Sequence, residues 1–387
     1  MYLYRIYKVK IMPFTRLWRY RIPSECLLDG FEYSDEWLNI DLYCRDEVRK
    51  VSIEVTSGRT ITGGGSSLEL RGVVEFKREY FVLRCFYGYG NVMWSKIRSA
   101  LDAKIMCRKE TCVIGLLRPD NILEVNIINK AGQILETFTL DNVLDFDIGG
   151  SRNLIILSTI SAHPEHSIVL LVNAISNAVI DEIRGFGGRI ISSPYRVIIN
   201  GKHEGKYYAR IYSDEGKELA YTEGIGVFIP YNPYPFQLPG TELYNEKFIV
   251  ITDLFTVKVY NIMDLGLECS FIKPPRMRAI FNVDLEDNNV TTLSRIFDQP
   301  LIVNYSFNGE PLWQTHIVRG VSRVLHSASI LALYDGFYRR ETRLSLIKMP
   351  VVVEEERLGP GVEPLIIWGR YIVLFDGEFI RAYVYER

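Results

Sequence analysis

Tyr305-Ser-Phe-Asn-Gly309-Glu-Pro-Leu312-Trp313 is closely copied earlier in the chain by Tyr212-Ser-Asp-Glu-Gly216-Lys-Glu-Leu219. Related turns read Gly90-Asn-Val-Met93 and Gly132-Gln-Ile-Leu135, with looser equivalents at Gly58, Asn177 and Gly266. Trp follows the Leu or Met in Met93-Trp94, Leu312-Trp313 and Leu17-Trp18. From residue 90 onward the turns recur at 90, 132, 177, 216, 266 and 309, which is every 39 to 50 residues. Glycine at a tight strand-to-strand turn supplies φ > 0, and a large apolar residue three positions later is expected to re-enter the core.

Between these turns, short runs rich in Ile, Val, Tyr and Phe pair around polar turn residues. Examples are 112–117 with 122–128, 248–252 with 255–262, and 371–375 with 378–385. The second members alternate in polarity (LEVNII, VKVYNI, IRAYVY), so each is a strand with two different faces. Four short strands per unit of 40 to 50 residues cannot bury both faces alone. Stacking such units face to face about an axis gives an all-β propeller, favoured over a sandwich pair whose turns recur by chance. Eight four-stranded blades are expected, within a range of seven to nine, because residues 23–100 read either as two thin blades or as one with an insertion. The whole chain, 1–387, reads as one domain. The last unit, 359–387, holds three strands, and residues 1–22 carry a fourth-strand sequence that is expected to complete it and cover its edge.

The Gly309-to-Trp313 turn resembles the Gly-x-x-Leu-Trp turn of quinoprotein-like repeats. Over nearly its whole length the chain resembles the WD-repeat and quinoprotein-like (PQQ-like) propeller superfamily. That resemblance implies a fold and no particular activity. The Ala-x-Asp that usually precedes the turn is absent, as are the Gly-His and Trp-Asp pairs of WD repeats and the vicinal cysteines of quinone-binding enzymes. No cofactor is therefore expected.

Composition agrees with a globular chain: 48% hydrophobic and 24% charged residues leave no room for a collagen-like, disordered or coiled-coil protein. With 45 Lys and Arg against 47 Asp and Glu, the net charge of −2 does not advertise nucleic acid or an anionic membrane. The opening MYLYRIYKVKIM is interrupted by Arg5, Lys8 and Lys10, and no run of 18 apolar residues exists, so a cytoplasmic address and no membrane partner are expected. Six cysteines without a C-x-x-C argue against a zinc cage. Cys107 and Cys112 flank Arg-Lys-Glu-Thr as two hairpin strands would, which leaves a cross-strand disulfide open to them, although reduced thiols are the expectation in a cytosol outside hyperthermophiles. Only four Gln are present, a depletion in the thermophile direction.

Few constellations carry chemistry. His163-Pro-Glu-His166, with His203 in the equivalent loop of the next unit, supplies potential metal ligands, although Pro164 opposes the helical turn that would aim both imidazoles together. The 284–289 stretch has calcium-like oxygens without the Gly and distant Glu such loops need. Gly63-Gly64-Gly65 and 184–189 lack the Lys-Ser/Thr and helix of a phosphate cradle. Asp145 and Asp147 share one strand face and point to strand-end hydrogen bonding more than to acid–base work. The residues expected to bind a partner are Arg118, Phe255, Arg276, Arg278, Phe337, Tyr338, Arg339 and Arg340, placed by the strand pattern on one ring face as cationic and aromatic anchors. The proline-rich aromatic stretch 230–239 reads as a docking arm or a lid. The function expected is a non-catalytic interaction scaffold whose partner is another protein, with nucleic acid as the alternative. Two further readings stand beside it: an enzyme or small-ligand binder using the ring centre, and an RNA- or ribosome-associated protein using the basic, aromatic residues 1–22.

Overall fold

The computed structural model describes residues 15–384, apart from 35–36, 45–46, 64–69, 78–79, 88–91, 194, 230–246, 275–276, 297–298, 317–322, 328–329, 336–341, 349–350, 359–362 and 369–370. Among the described residues the chain forms thirty-five strands and one 3-10 turn, Pro164–His166, and no helix is long and apolar enough to cross a membrane. The strands make nine antiparallel sheets, eight of four strands and one of three. Seven of the four-stranded sheets come from single stretches with strands adjacent in chain order: 26–63, 102–140, 143–184, 188–223, 225–272, 277–316 and 323–358. Residues 23–100 form two separate sheets, 26–63 and 70–98, where the sequence had left one blade or two open.

Alternation along the strands shows how these sheets stack. In Thr111–Leu117, Val113 and Leu117 pack with Phe146, Ile155 and Leu157 of the following sheet. Cys112, Ile114 and Leu116 turn the other way, onto Phe81, Leu83 and Cys85 of the preceding one. Leu154–Ser161 repeats the division, with Ile155 and Leu157 on one side and Leu154 and Ile156 on the other. Five successive interfaces between residues 70 and 316 are filled in this way. Each of the four sheets between residues 102 and 272 thus gives its two apolar faces to two different neighbours, which is the propeller arrangement and not that of a two-sheet sandwich.

Burial falls toward the fourth strand in the sheets between residues 102 and 272. The strands Thr111–Leu117 and Leu123–Asn129 are buried almost throughout, whereas the fourth strand, Ile134–Leu140, is largely exposed. The expectation that the apolar residue after the glycine turn re-enters the core is corrected here. Leu135 and Leu312 are exposed, because the turn leads into the outermost strand, which has no strand beyond it in its sheet. The turns themselves do carry the left-handed residue, at Gly58, Gly132, Asn177, Gly216 and Gly309. At the looser copy near Gly266 the left-handed residue is Leu265 instead. It closes on Asn261 O, and Asp264 Oδ1 accepts the Gly266 amide.

Thr15–Arg21 pairs antiparallel with Phe379–Val384, from Thr15 opposite Val384 to Arg21 opposite Phe379, and is the fourth strand of the sheet that starts at Glu363. Trp18 on this strand donates Nε1–H to Val55 O at 2.7 Å. A Cβ on Gly58 would stand 2.5 Å from the Trp18 ring, so the indole needs a bare turn beneath it. Leu38, Ile40, Leu42 and Ile53 share one apolar cluster with Leu365, Val373, Ile380 and Ala382, so the first complete sheet packs on the last.

The cysteines differ from expectation. Cys107 and Cys112 are disulfide-bonded, being directly opposed in register with Cα atoms 4.1 Å apart. Cys26 and Cys44, likewise opposed, form a second disulfide that the sequence spacing had not suggested.

Candidate functional site

The sheet 225–272 exposes an apolar end. Ile225 lies opposite Thr252, and Thr256 lies opposite Ile272, so both isoleucines sit at the end where the loop joins Thr252 to Thr256. That loop places Leu254 and Phe255 in solvent, 72% and 76% exposed, next to Ile272 at 68% and Ile225 at 42%. Asp253 holds the loop. Its Oδ1 accepts the amides of Phe255 at 2.7 Å and Thr256 at 2.6 Å, and its Oδ2 accepts the Thr256 hydroxyl at 2.6 Å. Lys273 donates its amide to Phe255 O at 2.7 Å and its ammonium to Asp253 O at 3.2 Å. Burial pushes the Asp253 carboxyl up, but the bonds from Thr256 and Phe255, with Lys258 nearby, outweigh it and leave the group below its ordinary value. Two apolar side chains at the tip of a pinned, charged turn are costly to leave in water and cheap to dock, since little loop entropy remains to be lost. Lys273 and the exposed Arg278 on Met277–Asp284 add positive charge close by in the chain.

The other expected partner-binding residues fare variously. Arg118 is half-exposed and paired with Asp120 at 3.2 Å. Arg276, Phe337, Tyr338, Arg339 and Arg340 lie outside the described residues, as does the stretch 230–239. Leu254, Ile272 and Ile225 were missed. The signal for Leu254 was present, an apolar pair following Asp where a turn should be polar.

His163 and His166 meet edge to face, with ring centroids 5.7 Å apart, and His163 Nδ1 is 3.8 Å from Glu165. His203 instead contacts Glu204 and the Tyr208 ring. Among the described residues, one group of three His, Cys, Asp or Glu ligand atoms falls within 4.8 Å: Cys85, Cys107 and Cys112. Burial pushes the Cys85 thiol up to about 12.

Asp145 and Asp147 work between sheets. Arg189 of the next sheet bonds Asp145, and the Ile190 amide donates to Asp147 Oδ2 at 3.0 Å. Lys104 of the preceding sheet stands 3.6 Å from Asp147 Oδ1 and bonds Phe146 O. The pair staples three adjacent first strands. Basic residues of the first strand are also engaged: Arg21 pairs with Glu378 at 2.9 Å, and Arg19 lies over the Phe379 ring.

No protein-family model matches the chain, and no curated protein matches it. Among solved structures it is similar to a eukaryotic initiation factor, at 10% identity over 88% of this chain and 90% of that one, TM-score 0.46. It is similar also to the C-terminal WD40 domain of Sif2, at 11% identity over 97% and 99%, TM-score 0.41. A europium-containing methanol dehydrogenase aligns at 8% identity over 96% and 95%, TM-score 0.41. The propeller assignment rests on the order and stacking of the chain's own sheets.

Proposed function

We propose that the protein is a non-catalytic interaction propeller that docks a protein partner on the loop end of the 225–272 sheet. The observation that carries this reading is the pair Leu254 and Phe255, held out by Asp253 at 72% and 76% exposure with Ile272 beside them. The partner surface is an apolar segment with acidic flanks, matching the leucine and phenylalanine, the Lys273 bonded to their loop and the exposed Arg278 five residues further on. In this reading Arg276, Phe337, Tyr338, Arg339 and Arg340 belong to the same partner-binding set, by their basic and aromatic chemistry alone. Large exposed apolar side chains grouped on one element mark contact sites more than singly scattered ones do.

The test is affinity purification from the native cell with wild type and with Leu254→Ser/Phe255→Ser, each with and without nuclease. The variant is expected to fold and melt as wild type, since both side chains are exposed, and to lose a nuclease-resistant protein that wild type retains. Identical recovery by both proteins rejects the docking site. Loss of the partner on nuclease treatment of wild type assigns the surface to nucleic acid instead.

A further inference from the structure

We propose that Cys85, Cys107 and Cys112, once the Cys107–Cys112 bond is reduced, form a binding site for one thiophilic monovalent cation, Cu(I). The three sulfurs come from two stacked sheets. Cys85 lies on Tyr80–Tyr87, the middle strand of the three-stranded sheet, and the other two lie on the opposed strands Asp102–Arg108 and Thr111–Leu117. All three are buried, with their ligand atoms within 4.8 Å of one another.

The position of Cys85 decides what the trio is built for. Its sulfur is 3.5 Å from that of Cys112 and 3.9 Å from that of Cys107. It is therefore nearly equidistant from the two, beside their bond and not on its axis. Thiol–disulfide exchange requires approach along that axis, so the placement does not serve exchange. It does serve shared ligation. Metal–sulfur bonds of about 2.3 Å spread in a plane put the sulfurs about 4 Å apart. Cys85 already has close to that spacing from both partners, and only the bonded pair must separate.

The ligand chemistry selects the ion. The donor set is all thiol, and the residues packed around it include Leu83, Ile105, Ile114, Leu116 and Ile128. Calcium and magnesium need oxygen ligands, and structural zinc takes four ligands where this group offers three. Cu(I) takes sulfur ligands and accepts three of them in a plane. Opening the site balances simply. A water-soluble phosphine and one water reduce the disulfide to two thiols and leave phosphine oxide. Each thiol that ligates Cu(I) then releases its proton to solvent.

The experiment uses the full chain, reduced anaerobically with phosphine, freed of it, and titrated with Cu(I) held by a coloured Cu(I) chelator. Wild type is expected to withdraw one ion, and X-ray absorption is expected to show three sulfurs around it. Cys26 and Cys44 also become thiols, but as a pair they supply two sulfurs, so the third sulfur is diagnostic. Cys85→Ser is expected to give two-sulfur copper or none, and Cys269→Ser to bind as wild type. The proposal fails if reduced wild type takes no copper from the chelator, if its copper shows only two sulfurs, or if Cys85→Ser retains three. Tighter binding of zinc than of Cu(I) at the same sulfurs overturns the choice of ion. The sulfur count on wild type stands even where the buried substitution does not fold.

Discussion

Asp147 and Asp253 are both lifted by burial, and what separates them is how heavy that burial is against the groups that answer it. At Asp147 burial wins over the Ile190 amide, Lys104, Arg189 and the Ile148 amide, and its carboxyl lies above the ordinary range. At Asp253 burial comes first too, but the Thr256 hydroxyl and the amides of Thr256 and Phe255 prevail. The signs of the two pH effects are therefore opposite. Between the unfolded carboxylate pKa of about 3.9 and the raised value of Asp147, the native state holds the extra proton, so stability falls as pH rises through that window. For Asp253 the stabilisation is present above about pH 3.9 and is lost as pH falls through its depressed native value. Urea midpoints measured across this range should show Asp147→Asn removing the fall on the rising side, and Asp253→Asn removing the loss on the acid side. Unchanged pH profiles in both variants would contradict these assignments. The face shared by Asp145 and Asp147 was readable in LDFDI. Their partners were not, because Arg189 and Ile190 lie on another sheet, 44 and 43 residues on, where no local spacing can display them.

Whole elements were the most legible scale. The two copies at Tyr212 and Tyr305 fold alike: Gly216 and Gly309 each close on a serine carbonyl three residues back, and both serine hydroxyls accept an amide of the turn. Local rules suffice there because the turn satisfies its own backbone. They fail for the burial of the following strand, since exposure of Leu135 and Leu312 depends on position in the sheet and not on the residues beside them. Gly115 is another such case. It sits in a fully buried strand, where glycine is poor local chemistry, because its Cβ would come 2.4 Å from the Phe146 ring of the next sheet. Gly115→Ala should therefore destabilise by overpacking, on the order of 1–3 kcal/mol. Phe146→Ala should cost about 3–5 kcal/mol as a buried aromatic truncation. The double variant should cost clearly less than the sum, since the new methyl then occupies space the ring has left. Strict additivity in denaturant unfolding would mean that the two residues do not share one interface.

At the scale of the molecule, the described sheets between residues 70 and 316 are held by neighbour-to-neighbour interfaces, one apolar cluster per adjacent pair. Such a stack is approximately a sum of local terms, except that its first and last members need cover for their outer faces. Here the first complete sheet and the last cover each other through Leu38, Ile40, Ile380 and Ala382, and the strand Thr15–Arg21 completes the last sheet while Trp18 reaches the first. Removing residues 1–22 takes away both the strand and the indole, leaves the edge of Phe379–Val384 unpaired, and opens the cluster that joins the two sheets. Trp18→Ala keeps the strand and removes only the docking contact. It should cost on the order of 2 kcal/mol, below the usual figure for a fully buried aromatic because the indole is half-buried. The truncation should cost more, and it should lower the melting transition of the whole chain while leaving it single. If this junction is instead a local ornament, the truncated protein will melt in two steps, with the last sheet lost first and the central sheets from 102 to 316 unfolding at the wild-type temperature. Calorimetry of the two variants beside wild type separates these outcomes, and the two-step result would show a stack of sheets whose ends do not support each other.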